Sequence, residues 1–235
     1  MPLPGTGADH VYTNNGNAPL IDLLDGDVRQ VLDVGCGAGD NAVLLRARFP
    51  DCQIHGLTLS AAESAIAASR MNSCTVWDIE SGIPDAFRFR TFDAILFSHV
   101  LEHLHNPDLV LADFSRLLKR GGSALVAVPN VVTWSMRWRI LRGEFQYQSE
   151  GILDSTHLRF FTYHTADRYL LRRCEGLRLV AKHVTGTVPQ WWLRRHILPA
   201  SGSQLVDRLG CRLWPNLFGD QILLKAVYTP ASDSA

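Results

Sequence analysis

Val31-Leu32-Asp33-Val34-Gly35-Cys36-Gly37-Ala38-Gly39 is the stretch from which the fold of this chain can be read. Apolar residues suited to a buried strand run into glycines at alternate positions. A helical stretch follows over 40–49, with Ala42, Val43, Leu44, Leu45 and Phe49 as its apolar residues. Glycines at such a corner permit a tight turn and let a ligand approach the backbone with no Cβ in the way. The dinucleotide pattern G-x-G-x-x-G is not met, because Asp40 stands where its last glycine would be. A phosphate-binding P-loop fails for want of the Gly-Lys-Ser/Thr ending. Asp33, at the strand end, would repel phosphate and suits a cationic group such as an amine.

The alternation continues outward from this corner. A second strand is expected over 53–57, then Ser60 as an N-cap with Glu63 three residues on, a capping box opening a helix that reaches about Met71. Strands over 74–77 and 92–97 follow, and the turn Arg120-Gly121-Gly122 introduces another over 123–128. Strands separated by helices predict βαβ units and a doubly wound parallel sheet of the α/β class. The rhythm breaks over 129–161, which carries Trp134, Arg137, Trp138, Arg139, Arg142, Phe145 and Tyr147 and no strand signal. A helix over 165–174, capped by Thr162 or Thr165, and a strand over 176–184 come next. A second interruption over 187–219 holds Trp191, Trp192, Arg194, Arg195 and Trp214, and a last strand spans 221–228. Ligands of open α/β sheets bind beyond the carboxyl ends of the strands, so both interruptions are placed to form a lid.

The 235 residues include 23 basic and 23 acidic side chains, 46% hydrophobic and 20% charged, which is globular composition. Zero net charge argues against a nucleic-acid binder. The five cysteines (Cys36, Cys52, Cys74, Cys174, Cys211) form no C-x-x-C pair and read as reduced structural thiols of a cytoplasmic protein. No leader is expected in 1–17, and no apolar run is long enough for a membrane span.

VLDVGCGAG, FDAILFSHVLEHL, NPDLVLADFSRLLKRGG and SALVAVPN, in that order, resemble the motifs of class I S-adenosylmethionine-dependent methyltransferases over about residues 20–130. GEFQYQ and GILDSTHLRFFT are similar to a bacterial subgroup associated with polysaccharide and secondary-metabolite pathways, and carry the likeness to about Cys174. The resemblance implies a Rossmann-like seven-stranded sheet ending in an antiparallel strand pair, with S-adenosylmethionine as cofactor. It implies one methyltransferase domain over 1–235, with a cofactor-binding core over 18–130 and acceptor or lid insertions over 131–161 and 187–219. Asp33 would lie near the methionine amino group, and the backbone of Gly35, Cys36 and Gly37 would border the methionine portion. Asp78 and Ile79 would meet adenine, and Leu59 and Ser98 would line the cofactor. Asp78 is equally suited to capping a helix. The chain departs from the family at Gly56-Leu57-Thr58-Leu59-Ser60, which has no acidic residue for the ribose hydroxyls and is similar to the element of cyclopropane fatty acid synthases. Thr58 offers one hydroxyl there, leaving ribose binding to lean on backbone groups.

His99-Val100-Leu101-Glu102-His103 spells the H-x-x-E-H of inverzincin zinc proteases, with Glu175 as a conceivable third ligand. The surrounding motif series accounts for the same residues without a metal, and no metal is expected. On the methyltransferase resemblance this segment lies beside the sulfonium and the acceptor, so His99, Glu102 and His103 are base candidates; inward-facing structural roles fit His103 and Glu102 equally. His157, in Asp154-Ser155-Thr156-His157-Leu158-Arg159, is a further base candidate with Asp154 orienting its ring, unless Asp154 bridges to Arg159 and merely fixes the lid. Arg137, Arg139, Arg142, Arg194, Arg195 and His196, interleaved with tryptophans, suit an anionic acceptor, a membrane-surface contact or a solvated basic face. The expected activity is methyl transfer to a small molecule, foremost O-methylation of a hydroxyl on a sugar, polysaccharide-linked or natural-product acceptor. Transfer to carbon or an alkene, and a non-catalytic cofactor-binding partner, are the alternatives; a homo-oligomer is left open.

Overall fold

Strands apolar on both faces need cover on both faces, and the computed structural model, which describes residues 15–189, 196–197 and 199–230, supplies it. Helix α1 (Ala18–Ile21) precedes β1 (Gln30–Val34), α2 (Asp40–Arg48), β2 (Gln53–Thr58), α3 (Ala61–Ala67), β3 (Ser73–Val76), β4 (Phe92–Ser98), α4 (Pro107–Ser115) and β5 (Leu118–Pro129). Then come α5 (Trp134–Leu141), α6 (Ala166–Leu170), β6 (Leu177–Thr185), α7 (Ala200–Leu213), α8 (Pro215–Phe218) and β7 (Gln221–Tyr228). They build one seven-stranded sheet in the order β3-β2-β1-β4-β5-β7-β6. β1 to β5 pair in parallel, and β7 enters antiparallel between β5 and β6. This is the α/β sheet with a C-terminal antiparallel pair that the motifs imply.

Residue parity sorts the core. Leu32, Val34, Ile95, Phe97, Val126 and Leu224 pack on one side with Phe114 of α4 and Leu170 of α6. Val31, Ala94, Leu96, Leu125 and Leu223 pack on the other with Leu20, Ala42, Leu45 and Ala67 from α1, α2 and α3. On the first side the buried carboxylate of Asp108 in α4 accepts from Arg172 Nε (2.7 Å) and Arg173 Nε (2.8 Å), tying α4 to the turn after α6.

Two local expectations are corrected. β5 begins at Leu118, ahead of the glycines, although its pairing with β4 passes from Leu118 directly to Ser123, so that Gly121 (φ 80°) and Gly122 lie on a bulge between the two. A Cβ at Gly122 would stand 3.0 Å from Phe92 O and 3.1 Å from Asp93 O, so this glycine lets the bulged strand pass close to β4. The first insertion contains α5, capped by Thr133, whose hydroxyl accepts from Met136 N. The expected helix over 165–174 is confined to α6, and Thr165 Oγ1 accepts from Thr162 N instead of capping it.

All five parallel strands end at one edge, at Val34, Thr58, Val76, Ser98 and Pro129. Gln221 opposes Pro129 there, and Thr185 opposes Gln221. The second insertion therefore leaves and rejoins the sheet at the edge where the glycine corner lies, and the first leaves there and returns to it at Phe161, which bridges to Asn130.

Candidate active site

The glycine corner turns on left-handed backbone at Gly35 (φ 75°), Gly37 (φ 53°) and Gly39 (φ 83°). Gly35 is the tightest, since a Cβ there would meet Val100 Cγ2 at 2.5 Å. The amides of Gly35 and Cys36 donate to Leu57 O at 2.9 and 2.8 Å, pinning the corner to the end of β2. The Cys36 side chain is buried, its Sγ 3.6 Å from Cys74 Sγ.

Asp33 stands on the sheet face it shares with Val31 and is fully buried. Its Oδ2 accepts a long 3.3 Å bond from Asn41 Nδ2, and its Oδ1 has no partner. Burial pushes this carboxyl up from 3.8 to about 7, the Asn41 amide opposing only part of the effect. A buried oxygen without a donor costs free energy until something cationic or N–H-bearing reaches it. That is the chemistry of a site for an amine, and it fits the ammonium of S-adenosylmethionine.

Beyond the ends of β2 and β3 a hollow of about 370 Å³ is lined by Leu59, Val76, Trp77, Asp78 and Ser81. Leu59 and Val76 are exposed here, as apolar walls of a binding hollow would be. Asp78 caps a 3₁₀ turn, its Oδ1 accepting from Glu80 N at 2.9 Å, while Ile79 is buried. Asp78 thus both caps this turn and lines the hollow. Thr58 is buried; its hydroxyl donates to Glu63 Oε2 at 2.6 Å and accepts from Ser60 N at 3.3 Å. Ser60 Oγ accepts from Glu63 N, so the capping box is half realised, with the Glu63 side chain spent on Thr58. Sequence reasoning missed that Glu63 brings a carboxylate behind the strand position that lacks one. Its spacing from Thr58 was the available signal.

After β4 the backbone turns through His99, the sole non-glycine with positive φ (53°) among the described residues. The H-x-x-E-H segment is therefore no α-helix. Leu101–His103 is a 3₁₀ turn, and His99 and His103 do not share a helical face. His99 Nε2 donates to Gln221 Oε1 at 2.9 Å, and Nδ1 faces Glu102 Oε1 at 3.3 Å. Burial alone would lower the His99 pKa; the Glu102 carboxylate outweighs it and holds the imidazole above its ordinary value. Glu102 is buried, and its Oε2 has no partner. The Glu102 carbonyl accepts from Leu158 N (2.8 Å) and Arg159 N (3.0 Å), which clamps the turn 154–159 of the first insertion onto this segment.

That clamp brings His157 to His103, their ring centroids 4.7 Å apart. Asp154 orients neither His157 nor Arg159. Its Oδ1 accepts from Thr156 Oγ1 (2.7 Å), and Thr156 Oγ1 in turn accepts from His103 Nδ1 (3.0 Å). His157 Nδ1 donates to Ile152 O at 3.0 Å. Both rings thus donate through Nδ1, which leaves Nε2 as the nitrogen with a lone pair in a neutral imidazole. Burial keeps the His103 imidazole below its ordinary pKa, although the Glu102 charge opposes it. Glu175 is remote in role: it follows the turn after α6 and takes no part in this cluster.

One polar chain joins the two halves of the site. Asn41 Oδ1 accepts from Asn17 N (2.9 Å), Asn17 Nδ2 donates to Gln221 Oε1 (3.0 Å), and Gln221 Oε1 receives His99. Ser98 Oγ accepts from Asn17 Nδ2 at 3.3 Å. Asn17, Asn41 and Gln221 were not legible as site residues, being single polar residues far apart in sequence. In α5, Trp134 and Trp138 are exposed and Arg137 Nε donates to Val132 O. Trp191, Trp192, Arg194 and Arg195 lie outside the described residues. No helix among the described residues is long and apolar enough to cross a membrane.

A family model described as a methyltransferase domain matches residues 13–181. The malonyl-[acyl-carrier protein] O-methyltransferase of Laribacter hongkongensis is 30% identical over 171 residues, covering 66% of this chain and 53% of that protein. The ubiquinone/menaquinone biosynthesis C-methyltransferase UbiE of Desulfotalea psychrophila is 32% identical over 94 residues, covering 40% of this chain and 38% of that one. The chain thus spans about half or less of the length of these curated relatives. A crystal structure of a SAM-dependent methyltransferase from Archaeoglobus fulgidus shares the fold at a TM-score of 0.58, with 18% identity over 85% of this chain and 86% of that one. With the family model covering most of the chain, the chain belongs to the methyltransferase-domain family, and its sheet carries the fold of the class I S-adenosylmethionine-dependent methyltransferases.

Proposed function

We propose that this chain transfers a methyl group to a hydroxyl of a small-molecule acceptor. The observation that carries the reading is the fully buried, unpartnered Oδ1 of Asp33 at the mouth of the glycine corner. S-adenosylmethionine supplies a methyl carbon activated by positively charged sulfur. Asp33 would hold its ammonium. Leu59, Asp78 and Ile79 would receive the adenine, and Thr58 with Glu63 behind it would face the ribose. Gly35, Cys36, Gly37 and Ser98 would line the methionine portion between them. In-line displacement at an activated methyl needs above all a positioned nucleophile, and a nearby base adds about 10²–10⁴-fold. His103 and His157, each with an Nε2 lone pair, stand where the acceptor hydroxyl would lose its proton, with Glu102 and His99 holding the segment around them.

Hydroxyl transfer is supported by those lone pairs and by the O-methyltransferase among the relatives. A sugar or polysaccharide-linked acceptor leads, on the likeness of residues 143–162, and natural-product acceptors follow. Arg137, Arg139 and Arg142 of the first insertion suit an anionic one. Free thiols at all five cysteines accord with a cytoplasmic setting. Transfer to carbon is the second reading, favoured by the Thr58-Leu59-Ser60 element and by the C-methyltransferase relative. Calorimetry with S-adenosylhomocysteine on wild type and Asp33→Ala tests the reading. Binding that weakens in Asp33→Ala supports it, and a wild type that unfolds cooperatively yet does not bind overturns it.

A further inference from the structure

Glu102, His103 and His157 each offer one ligand atom, and these three atoms lie within 4.8 Å of one another. The hydrogen bonds around the cluster add more than proximity. Each imidazole spends its Nδ1–H on a fixed oxygen, His157 on Ile152 O and His103 on the Thr156 hydroxyl, which is itself held by Asp154. A metal-ligating histidine is oriented in this way, its second nitrogen donating to a carbonyl, hydroxyl or carboxylate while the first keeps its lone pair. Glu102 divides its oxygens likewise. Oε1 faces His99, and Oε2 is fully buried with no partner. A buried carboxylate oxygen left bare in one cluster with two imidazoles has no donor to answer it, and a cation is the ligand that satisfies all three groups together.

We propose that Glu102, His103 and His157 form a binding site for a first-row divalent transition metal, zinc(II) or a cation of its kind. Two imidazoles and one carboxylate suit such an ion better than calcium or magnesium, which take mostly oxygen ligands. Ligand atoms around tetrahedral zinc with bonds of about 2.0–2.1 Å stand roughly 3.3 Å apart. The three atoms would therefore close by at most roughly 1.5 Å, within reach of side-chain rotation. Three protein ligands leave the fourth position open, as catalytic zinc sites do. The ligand set differs from the one H-x-x-E-H would suggest: His99 is replaced by His157, delivered by the first insertion. The role of the ion rests on the hydroxyl-transfer reading above. With their Nε2 lone pairs on the ion, His103 and His157 would serve as ligands in place of bases: the acceptor's hydroxyl oxygen would take the open position, its O–H would ionise there, and the proton would leave to solvent while the lone pair left on oxygen attacks the methyl carbon.

The test is titration of chelator-stripped protein with zinc chloride by calorimetry, with S-adenosylhomocysteine binding and thermal unfolding measured on the same samples. Wild type should bind one zinc per chain. His103→Ala and His157→Ala should each weaken binding at least 100-fold, while His105→Ala, outside the cluster, leaves it unchanged. Thr156→Val keeps all three ligands and removes only the hydroxyl behind His103; it should cost about 10–100-fold. Cooperatively folding wild type that takes up no zinc, or uptake that His157→Ala leaves unchanged, overturns the site. Zinc binding without S-adenosylhomocysteine binding upholds the site and overturns the methyl-transfer reading instead.

Discussion

Replacing Asp33 by asparagine keeps the shape of the side chain and removes its charge, which makes the cost of that charge measurable. A carboxyl moved from 3.8 in the unfolded chain to about 7 in the fold favours the folded state only while protonated. Its contribution is fully present below the unfolded value and is lost as pH rises through the folded one. At 1.36 kcal/mol per pH unit the full penalty is on the order of 4 kcal/mol at pH 8, of which about 2 kcal/mol has accrued by pH 5. The asparagine side chain carries no such penalty. In the absence of cofactor, Asp33→Asn should therefore exceed wild type by about 4 kcal/mol at pH 8, on the order of 10 °C in Tm for a chain of this size, and by about half that at pH 5. Urea unfolding at both pH values reads the gap directly. Saturating S-adenosylhomocysteine should raise wild-type stability far more than that of the variant, because its ammonium meets the carboxylate only in the former. A variant less stable than wild type at pH 8, or a gap that does not change with pH, would refute the claim that Asp33 is a buried carboxylate awaiting a cation.

Other substitutions probe the frame around the site. Gly35→Ala forces a Cβ into positive φ and into Val100, at a cost of about 2–4 kcal/mol by thermal unfolding; adding Val100→Ala should restore only the part due to the clash. Asp108→Asn should lose about 2 kcal/mol at neutral pH, discounted for its half-exposed arginines. Burial would raise the Asp108 pKa, but Arg172 and Arg173 prevail and hold it below the ordinary carboxylate value. Its contribution is therefore present at neutral pH and lost as pH falls through that depressed value, so the deficit of Asp108→Asn should vanish in acid. Leu59→Ala, at an exposed wall of the hollow, should leave Tm within about 2 °C and weaken S-adenosylhomocysteine binding by roughly tenfold in calorimetry.

The parts of the fold legible in sequence were those where one physical rule acts alone. β7 is an apolar run interrupted only by Lys225, and its observed limits agree with the expected 221–228. Gly121-Gly122 was only partly informative: Gly121 does turn the chain at positive φ, but on a bulge within β5, and Gly122 is there to admit neighbouring carbonyls. The capping signal of α5, Thr133, was present but hidden by the aromatic and arginine residues beyond it. The glycine corner was legible because its residues, Asp33 to Gly39, are neighbours in sequence. The histidine cluster was not: that Asp154 works through Thr156 on His103 depends on two backbone hydrogen bonds to Glu102, which no spacing encodes. H-x-x-E-H was rightly not read as a zinc-protease helix, since that pattern presumes a helix and His99 sits in left-handed backbone.

The hydrogen-bonded chain Asp33, Asn41, Asn17, Gln221, His99 and Glu102 ends at both extremities in a buried carboxylate with one oxygen committed to the chain and the other bare. Its members polarise one another, so a charge that answers one end alters how tightly the other holds its own. Thermodynamic reciprocity then fixes the accounting: whatever factor cofactor occupancy applies to a cation at Glu102, the cation applies to the cofactor. Asn17 is the joint of that chain, its backbone N–H serving Asn41 and its side-chain amide serving Gln221.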